Sequence, residues 1–260
     1  MSKVELMPSL FIGHGSPMNV IEDNKYTQGW EKIAKEIPTP QAILCISAHW
    51  FIPDTRVGEM ESPRTIHDFY GFPQVLYEQQ YPAPGAPEVA KDVQGLVHSV
   101  EVKLDSSWGL DHGTWSVLSK MYPDATIPTT QLSIDYTKKP GEHYKIAQQL
   151  HSLRNNGVLI IGSGNLVHNL GMARLDMGEL VYDWTPEFDQ KMVDSLLNGD
   201  HEPIINYTEL SDLARLAHPT PDHFLPLLYT IGAADTSEDV SVFNQYYFAG
   251  SLSMTSFKIG

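Results

Sequence analysis

Three histidines stand just beyond short apolar runs. They are His14 in Leu10-Phe11-Ile12-Gly13-His14-Gly15-Ser16, His49 in Ile43-Leu44-Cys45-Ile46-Ser47-Ala48-His49-Trp50, and His168 in Ile160-Ile161-Gly162-Ser163-Gly164-Asn165-Leu166-Val167-His168. A neutral imidazole ligates zinc, copper, iron or nickel, and it moves protons near neutral pH. A lone histidine in such a place is more often a loop or packing residue. Repetition of the pattern, twice among Gly, Ser and Asn that let backbone approach a bound group closely, points to a histidine-ligated metal.

Residues so far apart in sequence need a fold that gathers them. Apolar runs bounded by Gly or Pro and rich in Ile, Leu and Val read as buried strands of a parallel sheet, whose ligand crevice lies beyond the carboxyl ends of the strands. Strands are predicted at about Ser9 to Ile12, Ala42 to Ser47, Ile127 to Ile134 and Val158 to Ile161. Between the last two, Tyr144, Ala147, Leu150 and Leu153 form one stripe of a helix over Gly141 to Asn155, closed by Asn155-Asn156-Gly157 and feeding the next strand. The expected fold is α/β, one domain over 1–260, with a central, mostly parallel sheet flanked by helices and a metal site at the carboxyl ends of its strands. Two stretches are read as irregular. Pro53 to Pro87, rich in Pro, Gly and aromatics, reads as a lid or pocket wall without a core element, and Trp50, Phe69, Tyr70 and Phe72 are candidates for an aromatic wall. Ala217 to Tyr229 offers Thr220 and Asp222 as caps of a short helix with His223 near its start.

The charge balance narrows the partner. Lys plus Arg number 17 against 32 Asp plus Glu, a net charge of −15, which repels nucleic acid and anionic membrane and favours a small-molecule substrate. No basic segment followed by an apolar core opens the chain and no apolar stretch is long enough to span a bilayer, so a cytoplasmic location is expected. Cys45 is the single cysteine, which excludes an internal disulfide and a cysteine-rich zinc site; it reads as a buried small hydrophobe in a strand.

Familiar catalytic motifs are absent. Ile161-Gly162-Ser163-Gly164-Asn165 is out of register with a nucleophile elbow and lacks the third glycine of the dinucleotide fingerprint, and neither a phosphate loop nor a His-Glu-x-x-His helix occurs. What remains is a distributed set: His14, His49, His112 in Leu110-Asp111-His112-Gly113, His168, and His223 in Pro219-Thr220-Pro221-Asp222-His223. Together with Thr65-Ile66-His67-Asp68-Phe69 and Gly250-Ser251-Leu252-Ser253-Met254, these motifs in this order resemble the class III extradiol ring-cleaving dioxygenases, in particular the 4,5-DOPA extradiol dioxygenase group, over nearly the whole chain.

The resemblance implies a site. His14, His49 and His223 stand where that group has metal ligands, His168 where it has an acid/base histidine that is also counted among the ligands, and His112 where it has a pocket histidine near the substrate oxygens. The wider class closes its triad with a glutamate, so a third histidine here would leave the full metal charge in place. The resemblance implies one zinc per chain; ring cleavage needs an ion that exchanges electrons, hence Fe(II) at turnover. The implied reaction opens a catechol next to its diol with both atoms of dioxygen, as in 4,5-cleavage of L-DOPA to a muconate semialdehyde. His168 would serve as acid/base there and His112 would hydrogen-bond a substrate oxygen. His67 and Trp50 are candidates to touch substrate, and Arg56, Arg64, Arg174 and Arg215 to meet its carboxylate. Two other readings compete: a zinc hydrolase using the same histidines, and a metal-binding protein without activity. His143, His151, His98 and His201 are expected at the surface, and His218 in the Pro-rich turn.

Overall fold

The computed structural model describes residues 6–177 and 180–260. Its main sheet has six strands: β1 (Ser9–Gly13), β2 (Ala42–Ser47), β3 (Thr129–Gln131), β4 (Val158–Gly164), β5 (Val240–Phe243) and β6 (Ser256–Ile259). They lie in the order β3-β2-β4-β1-β6-β5. The first four are mutually parallel, with Ala42 opposite Val158 and Ser9 opposite Ile160. β6 and β5 continue the sheet antiparallel, Ser9 facing Ile259. A parallel sheet needs cover on both faces, and the strand alternation supplies two apolar surfaces. Phe11, Leu44, Ile46 and Ile160 point to one side, into a core with helices α3 (Pro140–Gln149), α4 (Trp184–Leu197) and α5 (Leu225–Gly232). Leu10, Ile12, Ile43, Cys45, Leu159 and Ile161 point to the other, against Trp30 and Ile33 of α1 (Lys25–Glu36) and Trp115, Val117 and Leu118 of α2 (His112–Met121). The result is the expected single-domain α/β fold.

Three local expectations differ. The run Ile127 to Ile134 is two strands: β3 pairs with β2, and after Leu132 the chain leaves the main sheet so that Ile134–Asp135 pairs with Phe51–Ile52. The long helix divides at Leu150 into α3 and a short helix His151–Asn155. The stretch read as wholly irregular contains a core strand, Thr55–Gly58, parallel to Val102–Asp105, with Val57 fully buried; its polar residues and short length hide it in the sequence.

Close approach of backbones fixes the glycines near the strand exits. A Cβ on Gly164 would lie 2.2 Å from the carbonyl oxygen of His223. Only hydrogen fits there. Gly15, directly after His14, has φ +61, a left-handed turn that glycine takes without strain.

Candidate active site

The sheet delivers its histidines to one end. His14 follows the last residue of β1, and its amide donates to the Gly164 carbonyl at 2.9 Å. His49 lies two residues beyond β2, after Ala48, whose amide donates to the Ser163 carbonyl. His223 is tied to the same edge, its carbonyl accepting from the Asn165 amide at 3.0 Å. His168 follows β4 and donates its amide to the Ala217 carbonyl. His112 is the first residue of α2, whose N-cap Asp111 accepts from the Thr114 amide. All five line one cavity of about 650 Å³, with Phe69, Tyr70, Phe72, Phe248 and Met254 among its walls.

Hydrogen bonding outside the cavity fixes the ring protons. The Ser163 hydroxyl gives its one hydrogen to the Gly113 carbonyl at 2.6 Å, so toward His14 Nδ1, 3.0 Å away, it can only accept. His14 therefore carries its proton on Nδ1 and leaves Nε2 bare. One Asp68 carboxylate oxygen accepts from His112 Nδ1 at 2.9 Å and lies 3.2 Å from His49 Nδ1, and the other takes the His112 amide. Asp222 accepts from His223 Nδ1. The Asp68 carboxylate beside His49 draws that ring's proton to Nδ1 as well, so four Nε2 lone pairs are freed, and those of His14 and His49 face each other at 3.2 Å. Two lone pairs held so close call for a cation, and a partner on the far nitrogen is the usual way a ligating histidine is oriented.

Burial keeps the rings of His14, His49, His168 and His223 neutral. It depresses His14 and His223 well below the ordinary histidine value, reinforced by the neighbouring imidazoles. His49 is lowered to about 3, mainly by burial and then by His112. His168 is lowered to about 4 by burial, with Asp222 opposing the shift. Burial raises the pKa of Asp68, but the hydrogen bonds from His112 and the charges of His112 and His49 outweigh it and keep the carboxyl below its ordinary value, hence ionised.

Two groupings emerge from the distances. Ligand atoms of His14, His49 and His112 lie within 4.8 Å of one another, a buried set compatible with one metal ion, and those of His168, Asp222 and His223 form a second set. Measured by ring centres, His14, His49 and His223 make a nearly equilateral triangle of 5.1, 5.2 and 5.1 Å. His112 stands closer to His49, at 3.9 Å, and His168 stacks flat on His223 at 3.5 Å.

Comparison with known proteins decides the family. Residues 8–256 match the model of the catalytic LigB subunit of aromatic ring-opening dioxygenase. The chain belongs to the LigB family. It is an extradiol dioxygenase: it is 46% identical over 258 residues to the 4,5-DOPA dioxygenase extradiol of Escherichia coli K12, covering 98% of this chain and 95% of that one. The Beta vulgaris protein of the same name is 38% identical, covering 99% and 98%. A crystal structure of an uncharacterized protein from Escherichia coli K12 superposes with a TM-score of 0.86 at 42% identity, covering 98% of this chain and 100% of that one.

Within this LigB chain the remaining sequence candidates fall elsewhere. His67 and Trp50 do not line the cavity. His67 Nε2 is bonded to the Gln79 carbonyl at 2.9 Å and its ring packs beside Trp115; Trp50 is buried and stacks on Trp108. None of the four arginines reaches the cavity wall. Arg56 is engaged by Asp54 and Asp105, Arg174 by Asp176 and Arg215 by Asp212. His143 and His201, expected at the surface, are buried, and so is His218, which stands at the Pro-rich turn as expected. His143 Nδ1 meets the Tyr229 hydroxyl at 2.9 Å, His201 Nδ1 the Tyr144 hydroxyl, and His218 Nε2 the Leu166 carbonyl. Sequence reasoning missed three residues that hold the site together: Asp68, Ser163 and Asp222. Asp222 was read as a helix cap, but α5 has no side-chain cap bond and the carboxylate holds His223 instead. Its adjacency to His223 was the one available signal.

Proposed function

We propose that this LigB dioxygenase cleaves L-DOPA, or a catechol with a similar side chain, at the 4,5 bond, using one divalent ion held by His14, His49 and His223. The observation that carries this reading is the pair of bare Nε2 atoms of His14 and His49 facing each other at 3.2 Å. His223 is preferred to His112 as third ligand on distance. Imidazoles bonded at about 2.0–2.1 Å to one tetrahedral ion keep their ring centres about 5 Å apart, a spacing that the triangle meets and the 3.9 Å between His49 and His112 does not.

Once bound, a divalent ion lowers the pKa of the catechol hydroxyls, and Fe(II), unlike closed-shell Zn(II), also exchanges an electron with dioxygen. The side chains supply the rest. Phe69, Phe72 and Phe248 give the ring an apolar slot that sheds water. His168, neutral and beside the triad, takes the proton released by a catechol hydroxyl and returns it as the ring opens. His112, its Nδ1–H anchored on Asp68, offers Nε2 to the other hydroxyl; a proton gained there is stabilised by Asp68 and turns His112 into a donor toward the oxygen on which negative charge develops. Opening between a hydroxylated carbon and its unhydroxylated neighbour leaves an aldehyde at one end and a carboxylate at the other, both dioxygen atoms being retained.

The test is oxygen uptake with a panel of catechols by Fe(II)-loaded and Zn(II)-loaded protein, with the semialdehyde followed by absorbance. Uptake by the iron form is expected. Uptake by neither form with any catechol overturns the reading.

A further inference from the structure

The cavity carries a charge pattern that nothing in the histidine chemistry requires. Among the described lining residues there is no lysine and no arginine, and the one carboxylate is Glu22. Glu22 is exposed and lies just past the turn Pro17–Val20 that leads away from His14. Its carboxylate accepts from Asn24 Nδ2 at 3.1 Å, and no described cation forms an ion pair with it. Lys120, the cation that touches this residue, gives its ammonium to the Glu22 main-chain carbonyl instead. Lys25 stays outside the lining, with its ammonium 4.2 Å from the centre of the Tyr246 ring. The chain as a whole carries −15, so the long-range field also draws cations and repels anions.

A catechol whose oxygens sit at the histidines turns its ring substituent away from them, toward the solvent-exposed part of the lining, to which Glu22 belongs. We propose that Glu22 is the specificity-determining residue for that substituent, selecting catechols that carry a side-chain ammonium, while a side-chain carboxylate finds no cation in the wall. The inference rests on the catechol reading above and deepens it. L-DOPA satisfies the ammonium contact with its carboxylate left to water, and the corresponding amine without a carboxylate fits better still. An ion pair at a half-open site changes affinity by only a modest factor, so the effect is one of selectivity and not of turnover.

The experiment measures binding to the full chain by calorimetry under nitrogen, alongside KM of the Fe(II)-loaded protein, for dopamine, 4-methylcatechol and 3,4-dihydroxyphenylpropionate. These share one ring and differ in side-chain charge. Wild type binds them in that order. Glu22→Gln lowers the dopamine to 4-methylcatechol affinity ratio about 1.5-fold to fivefold, the scale of a solvent-screened ion pair, and Glu22→Lys moves the propionate ahead of dopamine. Equal affinity of wild type for all three, or an order unmoved by both variants, overturns the assignment. If none of the three is turned over but the binding order and its response to Glu22 hold, the catechol-cleavage reading fails and the charge selection stands.

Discussion

Each histidine of the site is defined less by its own ring than by what holds its far nitrogen. Ser163, Asp68 and Asp222 fix the Nδ1 proton of His14, His49 and His223, and so decide that Nε2 is free to ligate. Replacing His14, His49 or His223 by Ala is expected to abolish stoichiometric metal binding, whereas His112→Ala retains the ion; elemental analysis of the four purified variants checks this, and metal kept without His223 but lost without His112 would move the third ligand to His112. His168 answers to a different measurement. Its alanine variant should keep the ion and bind catechol while the single-turnover rate falls by about a hundred- to ten-thousandfold, the range for a lost general acid/base. Metal loss in proportion to activity would instead make it a ligand. Cys45 plays no such part: it is buried in β2, and burial pushes its thiol pKa up, away from the reactive thiolate.

Strand β4 is the element on which the site turns. It pairs with both β1 and β2, the strands that deliver His14 and His49, and its own end receives the backbone of the segment carrying His223. That contact is possible because residue 164 has no side chain. Gly164→Ala would drive a methyl group to 2.2 Å from the His223 carbonyl oxygen, so the 217–224 segment must move outward. The expected outcome is a folded but destabilised protein, by about 1–3 kcal/mol as for other overpacked sites, with metal affinity reduced more than the melting temperature suggests. Normal metal content in a destabilised variant would mean that the segment shifts without carrying His223 out of reach.

Across the whole molecule, neutral buried histidines make stability depend on pH. His143 and His218, neither of which lines the cavity, are each lowered to about 4, mainly by burial. Their folded pKa lies below the unfolded value, so the unfolded chain binds protons that the folded one refuses. Their contribution is complete above the unfolded value, about 6.5. It is lost as pH falls from there to about 4, by about 3 kcal/mol for each histidine. The depressed pKa values of His14, His49 and His223 act in the same direction. Urea denaturation at pH 7.5 and pH 5 should show a clearly lower midpoint in acid, with a smaller difference for His143→Phe; identical midpoints at both pH values would contradict buried neutral rings. Among the described residues no helix is long and apolar enough to cross a membrane.

Hydrophobic burial made the sheet legible in advance. Strands covered on both faces must be apolar throughout, and so Ser9–Gly13, Ala42–Ser47 and Val158–Gly164 announce themselves, together with the histidines that follow them. Residue order alone also carried the family, because its motifs keep one sequence order. The three-dimensional fold decided what depends on partners distant along the chain. His143 lies off the apolar stripe of its helix, yet it is buried because Tyr229, far along the chain, supplies a hydroxyl for it. Asp68 is one polar residue of an aromatic loop until folding brings it against two imidazoles, where it sets which nitrogen carries the proton. Local sequence encodes propensity and burial. The protonation, spacing and charge of a site arise from long-range contacts, and those exist only once the chain has closed around them.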